Sequence, residues 1–310
     1  LVPRGDAGEE YIQAIHDIVV AEGIDLVVAN SDAEVGPISR HRHRFPASVF
    51  LPSFETIETC QDKYSLYAHL TAHRFRVAET YEVGDGSQID EIFARFEGHD
   101  QLWCRMRKGA ASRGSLPVNR PEQVLFWMRY WQEMRGVPLG MFLLSEYLPG
   151  RDYAFQSLWH EGELIIAKTC ERLIYLAGEW MPSGTSSTPR VGKLLNNKSV
   201  NEVCTSAVRS LDPRATGMFC IDLKEDRNGI PCITEINIGR FFMISPVFSF
   251  SGKHNMAELY LSLAFDEKVV VSDSERYGDI GSEETFLVRE LDNEPVIMTG
   301  VEIEENYASI

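Results

Sequence analysis

At 310 residues the chain is long enough to bury a substantial core and to form more than one domain. Its 44% hydrophobic and 25% charged residues are those of an ordinary globular protein, and a formal charge of −16 argues against nucleic acid or an anionic membrane as main partner. Six cysteines scattered singly, without C-x-x-C or a secretory leader, fit a reducing cytoplasm, and the longest apolar run, 241–250, is too short for a bilayer.

The opening segment 1–5 matches a thrombin recognition sequence and enters no fold argument. Tyr11, Ile12, Ile15, Ile18 and Val19 recur at helical spacing, and Gly23 is a natural stop. The apolar run 24–30 reads as a buried parallel strand, followed by Ser31 and Asp32 capping another helix. Together these form a fragment of a doubly wound α/β unit, so the chain is expected to begin inside its first domain, 1–52. The basic run 41–44 reads as a cationic helix end rather than a metal site, because no acid or cysteine sits at ligand spacing.

From Ser53 a capped amphipathic helix carries Ile57, Cys60, Tyr64 and Tyr67 on one face and Lys63 on its flank. Residues 75–148 read as a small α/β lobe: a strand at 77–83, a helix at 87–96, a strand at 101–106, a helix opened by Pro121 and closed by Gly136, and a strand ending near Gly150. Beyond it come strands at 153–159 and 164–175, a Ser/Thr/Gly/Pro-rich loop at 182–190, and a helix at 201–211. A helix from His254 to Phe265 and a closing β pair within 285–298 complete the chain.

Between Gly217 and Arg240 two apolar strands flank Asn228-Gly229, a strong hairpin signal. Folding about that turn brings Asp222 near Glu235, and period-two alternation puts Glu235 and Asn237 on one face. Two carboxylates and an amide oxygen are hard ligands suited to Mg²⁺, or Mn²⁺, bridging nucleotide phosphates. Phosphoryl transfer also needs cations and close-approaching backbone N–H groups. The loop from Gly109 through Ser112 and Arg113 to Gly114, behind the strand carrying Arg105, is small enough for that approach and is not a P-loop. Lys168 and Arg172 on one long strand, with Arg240 past the hairpin, form a second cationic group.

In chain order these features resemble the ATP-grasp superfamily, within it ligases related to the carbamoyl-phosphate synthase large subunit. The carrying residues are Asp-Lys at 62–63, Arg105 with the 109–114 loop, the 145–153 segment, the D-x12-E-x-N hairpin and Arg240. The resemblance implies an ATP-grasp fold at 53–270 whose two lobes clamp ATP, a partial doubly wound domain before it, and a closing β segment at 271–310. It implies that Lys63, Arg105 and Lys168 serve the nucleotide, that Glu146, Tyr147 and Leu148 border the adenine, and that Asp152 takes the ribose where relatives have glutamate. Asp222, Glu235 and Asn237 would hold the metal, and Arg172 and Arg240 would steady the transferred phosphoryl. The implied reaction joins a carboxylate, activated as an acyl phosphate, to an amine. A kinase or carbamate-forming enzyme and a non-catalytic nucleotide-binding protein of this fold remain alternatives, and oligomeric state is open.

Overall fold

The computed structural model describes residues 2–109, 112–241, 244–278, 284–290 and 296–302. The chain opens with α1 (Glu9–Glu22), which Gly23 ends in a left-handed conformation, and α2 (Asp32–Arg40), with Ser31 at the N-cap position. The expected strand at 24–30 is reduced to one parallel bridge, Leu26 to Ser48. Only Val27 N–H and Ser48 N–H extend that pairing, to the carbonyls of Ser48 and Asp25, so no ladder builds along the run.

The helix expected from Ser53 is two helices, α3 (Phe54–Gln61) and α4 (Lys63–Ala72). Asp62 divides them: its backbone is extended, and its side chain caps α4 by accepting from Tyr64 and Ser65 N–H. The break places Lys63 at the first position of α4, where its own N–H is free of helical bonding and donates to the carbonyl of Arg107.

A four-stranded antiparallel sheet follows, built from β1 (Thr80–Glu82), β2 (Leu102–Met106), β3 (Leu116–Val118) and β4 (Phe142–Glu146) in the order β1-β4-β2-β3. Its helices are α5 (Ile89–Arg95) and α6 (Pro121–Arg135). Leu102, Cys104 and Met106 pack with Ile92, Val124 and Met128 under these helices, so alternation turns Trp103 and Arg105 to the other face.

The larger sheet is seven-stranded: β5 (Asp152–His160), β6 (Glu163–Tyr175), β7 (Pro189–Leu195), β8 (Gly217–Glu225), β9 (Pro231–Ile238), β10 (Thr285–Val288) and β11 (Val296–Thr299), in the order β11-β10-β7-β6-β5-β8-β9. The pairing of β10 with β11 and with β7 makes the expected closing pair the sheet's far edge. β7 takes in the last two residues of the expected 182–190 loop and continues to Leu195, a strand the sequence pattern does not signal. One face carries Tyr153, Phe155, Trp159, Phe219 and Ile221 against α1 to α4 and α7 (Lys198–Leu211). On the other, Ala154, Leu158, Ile166 and Cys220 pack under α8 (Ser245–Phe250) and α9 (Met256–Ala264). That cover stops short of the sheet's end, and there the cleft lies.

Candidate active site

The hairpin of β8 and β9 sets Asp222 directly opposite Glu235 and Cys220 opposite Asn237, so all four share a face. A bulge follows at once: Thr234 is the extra residue, and its carbonyl accepts from Arg105 Nη1 at 2.9 Å. This bond ties the small sheet to the large one beside the carboxylate pair. Asn237 Nδ2 donates to Asp222 Oδ2 at 3.0 Å and, more weakly, to Glu235 Oε1 at 3.4 Å.

Cations surround the pair. Arg172 on β6 binds Asp222 through Nη2 and Asp152 through Nη1, the latter at 2.6 Å. Lys63 Nζ lies 3.1 Å from Glu235 Oε2 and donates to Gly109 carbonyl at 2.7 Å, joining the glycine loop to the hairpin. The charges are divided accordingly. Burial and the facing Glu235 push the Asp222 carboxyl up against the pull of Arg172. Burial also opposes charge on Glu235, but Lys63 and Arg105 beside it hold that carboxyl well below the ordinary range. Arg172 stays protonated despite burial because Asp222 and Asp152 flank it.

The residues fit a divalent cation. Two opposed carboxylates share one face, one of them ionised well below neutrality, and their present counter-charges are the side chains of Lys63, Arg105 and Arg172. Arg105 and Arg172, which both line the cleft, each keep a buried Nε without a hydrogen-bond partner among the described residues.

The expected nucleotide residues converge here with specific exceptions. Lys63, Arg105, Gly109, Ser112, Arg113, Glu146, Tyr147, Leu148, Asp152, Arg172, Asp222 and Glu235 line one cleft between the sheets. Gly114 anchors the loop: its carbonyl accepts from Trp127 Nε1 at 2.9 Å, its φ is positive, and a Cβ there would force the Met106 side chain to shift. Ala110 and Ala111 lie outside the described residues. Lys168 does not reach the cleft. Its ammonium is buried under α8, where the carbonyls of Phe248, Ser251 and His254 accept from it at 2.6–2.8 Å. The reading of Lys168 as a nucleotide ligand is therefore corrected: backbone carbonyls of α8 and the segment after it hold its ammonium away from the cleft. Asp152 lines the cleft, but one oxygen is held by Arg172 and the other accepts from Tyr175 at 2.7 Å. Glu146 is gripped by Arg76 through both oxygens at 2.8 Å. Arg240 stands behind Asn237 rather than in the main cleft, bidentate to Asp32 at 2.6 and 3.2 Å.

Sequence reasoning missed Asp32, Asp62, Arg76, Tyr175 and Thr234. Asp62 was legible only as the neighbour of Lys63 in Asp-Lys, not as the cap of a second helix. The others are partners of long-range bonds that spacing does not show.

Two antiparallel sheets enclose a cation-lined cleft, and the chain has the ATP-grasp fold. No protein-family profile and no curated protein matches the sequence. Solved structures do. The biotin carboxylase domain of 2-oxoglutarate carboxylase from Hydrogenobacter thermophilus, complexed with MgADP and bicarbonate, superposes with TM-score 0.68 at 16% identity, covering 91% of this chain and 62% of that one. L-amino acid ligase from Bacillus licheniformis gives 0.65 at 16%, covering 90% and 65%. Carboxyaminoimidazole ribonucleotide synthase from Aspergillus clavatus, complexed with ATP, gives 0.64 at 13%, covering 85% and 65%. The chain thus spans less than two thirds of the length of each. Among the described residues no helix is long and apolar enough to cross a membrane.

Proposed function

We propose that the chain is an ATP-dependent ligase that activates a carboxylate as an acyl phosphate and transfers the acyl group to an amine. The observation that carries this reading is the meeting of opposed Asp222 and Glu235 with Lys63, Arg105 and Arg172, drawn from three other elements, in one cleft between two sheets. The fold shared with an L-amino acid ligase and two carboxylation-related enzymes supports it. Asp222 and Glu235, with Asn237 as third ligand, would hold Mg²⁺ or Mn²⁺, which supplies charge neutralisation at the phosphate oxygens. Lys63, Arg105 and the 109–114 loop hold the phosphates, Tyr147 and Leu148 border the base, and Arg172 faces the group in transfer.

The substrate carboxylate oxygen attacks the γ-phosphorus and ADP leaves. The amine then attacks the acyl carbon and inorganic phosphate leaves with one former carboxylate oxygen. Orientation and charge stabilisation suffice for both steps, so no protein nucleophile is required. We assign residues 1–52 to a partial α/β domain, 53–270 to the clamp and 271–310 to the closing segment, and six free, buried cysteines favour a cytoplasmic setting.

The test is phosphate release from Mg-ATP over pooled carboxylates, with and without pooled amines, followed by ¹⁸O-carboxylate once a pair is found. Release that needs both pools, with label appearing in phosphate, is expected. ADP formation with carboxylate alone would make the chain a kinase, and unlabelled phosphate beside an amide product would exclude the acyl phosphate.

A further inference from the structure

Asn237 is placed between neighbours of opposite bonding character. Its Oδ1 accepts from Arg240 Nη2 at 2.6 Å, while its Nδ2 donates to Asp222 at 3.0 Å and to Glu235 at 3.4 Å. This orientation is dictated by Arg240, since a guanidinium only donates and so calls for the amide oxygen. It is also the wrong way round for a metal ligand: an amide binds a cation through oxygen, and here the nitrogen faces the carboxylates. To ligate, the amide must turn over. Its N–H₂ would then face Arg240, donor against donor, across what is now a 2.6 Å bond.

Arg240 has somewhere else to go. Asp32, at the first position of α2, accepts from its Nε at 2.6 Å and its Nη2 at 3.2 Å. The carbonyl of Asp32 is itself pinned by Gln61 Nε2 at 2.7 Å. A largely buried guanidinium can therefore give up Asn237 without losing its counter-charge.

We infer that Asp32 and Arg240 are positioning residues that hold Asn237 in its non-ligating orientation, so that cation binding turns the amide and releases one donor of Arg240. The released Nη2 then becomes available to an anionic oxygen of the substrate, and metal loading and anion binding become one coupled event. This inference rests on the reading of Asp222 and Glu235 as the cation site.

The experiment is Mn²⁺ titration of the nucleotide-free protein, with free Mn²⁺ followed by its paramagnetic resonance signal. Wild type, Arg240→Met, Asn237→Ala and the double variant form one cycle, and circular dichroism checks the fold of each. Arg240→Met should tighten Mn²⁺ binding, and that gain should shrink by at least about threefold in the Asn237→Ala background, the size of coupling expected for contacting residues. Arg240→Lys, which keeps the charge but cannot fork to Asp32 and Asn237 together, should also bind Mn²⁺ more tightly than wild type. It keeps the test open if Arg240→Met fails to fold. Equal gains in both backgrounds, or an unchanged Arg240→Lys, would mean that Arg240 acts by charge alone and would overturn the switch. Absence of Mn²⁺ binding in every variant would instead overturn the cation site itself.

Discussion

Arg172 and Lys168 lie on the same strand, on the same face, four residues or roughly 13 Å apart. Both are buried cations, and the sequence offers no reason to treat them differently. Their surroundings do. Arg172 sits where the cover of α8 and α9 has ended, and its partners are carboxylates that a competing cation would attract. Lys168 sits under that cover, where the carbonyls of Phe248, Ser251 and His254, in α8 and the segment after it, accept from it. One charge faces groups that a ligand can engage; the other ties α8 and the segment after it to the sheet. The comparison teaches that burial and charge alone do not mark a functional cation. What the counter-group can exchange with does.

The largest effect expected from this contrast lies at the open end. Glu235→Gln removes the strongly ionised member of the opposed pair while leaving shape and hydrogen bonding nearly intact. Steady-state ADP formation should fall by about a hundredfold or more, on the scale of losing one preorganised electrostatic contact to a transition state. Near wild-type turnover at saturating Mg²⁺ would show that the pair does not serve the reaction, and the distinction between the two ends would collapse.

At the covered end the expected loss is one of stability instead. Lys168→Met removes the donor to three backbone carbonyls, two of them buried, which should cost about 2 kcal/mol of unfolding free energy by urea titration. Affinity for a non-hydrolysable ATP analogue should stay within about twofold, a difference well below 1.4 kcal/mol. Weaker nucleotide binding with unchanged stability would restore Lys168 to the cleft and erase the contrast.

Legibility from sequence followed the range of the interactions. The hairpin at Asn228-Gly229 was readable because turn chemistry and alternation are local, and they fixed the facing of Asp222 and Glu235. Pro121 and Gly136 bounded α6 for the same reason. The interruption at Asp62 was hidden because 53–70 has continuous helical periodicity, while the cap that breaks it is one side chain bonding two N–H groups. The run 24–30 looked like a strand because apolar continuity does not reveal whether a neighbour exists to pair along its length. The fate of Lys168 depended on α8, whose sequence showed only as an apolar stretch. Asp32 meets Arg240 across 208 residues, a partnership that no spacing rule encodes.

Cys170 lies between Arg172 and Lys168 on the same face and reports where the open end gives way to the covered one. Burial pushes its thiol up to about 12, even though the nearby Arg172 pulls the other way. At pH 8 the folded protein should therefore expose almost no Cys170 thiolate to iodoacetamide, whereas the urea-unfolded chain should be alkylated within the same interval. The linkage has a definite sign. A thiol with a raised folded-state value binds more protons than its unfolded counterpart once pH exceeds the unfolded value near 8.5. Its contribution is thus fully present below that value and is lost as pH rises through the window above it. Cys104, also held near 12 by burial, and Cys232, held near 11, act in the same direction. The urea midpoint should fall between pH 8 and pH 10, less so when Cys170 is replaced by alanine and both variants are compared with their own pH 8 values. Peptide mapping that finds Cys170 alkylated in the folded protein at pH 8 would place water between the two cations, and the boundary drawn between them would have to move toward Lys168.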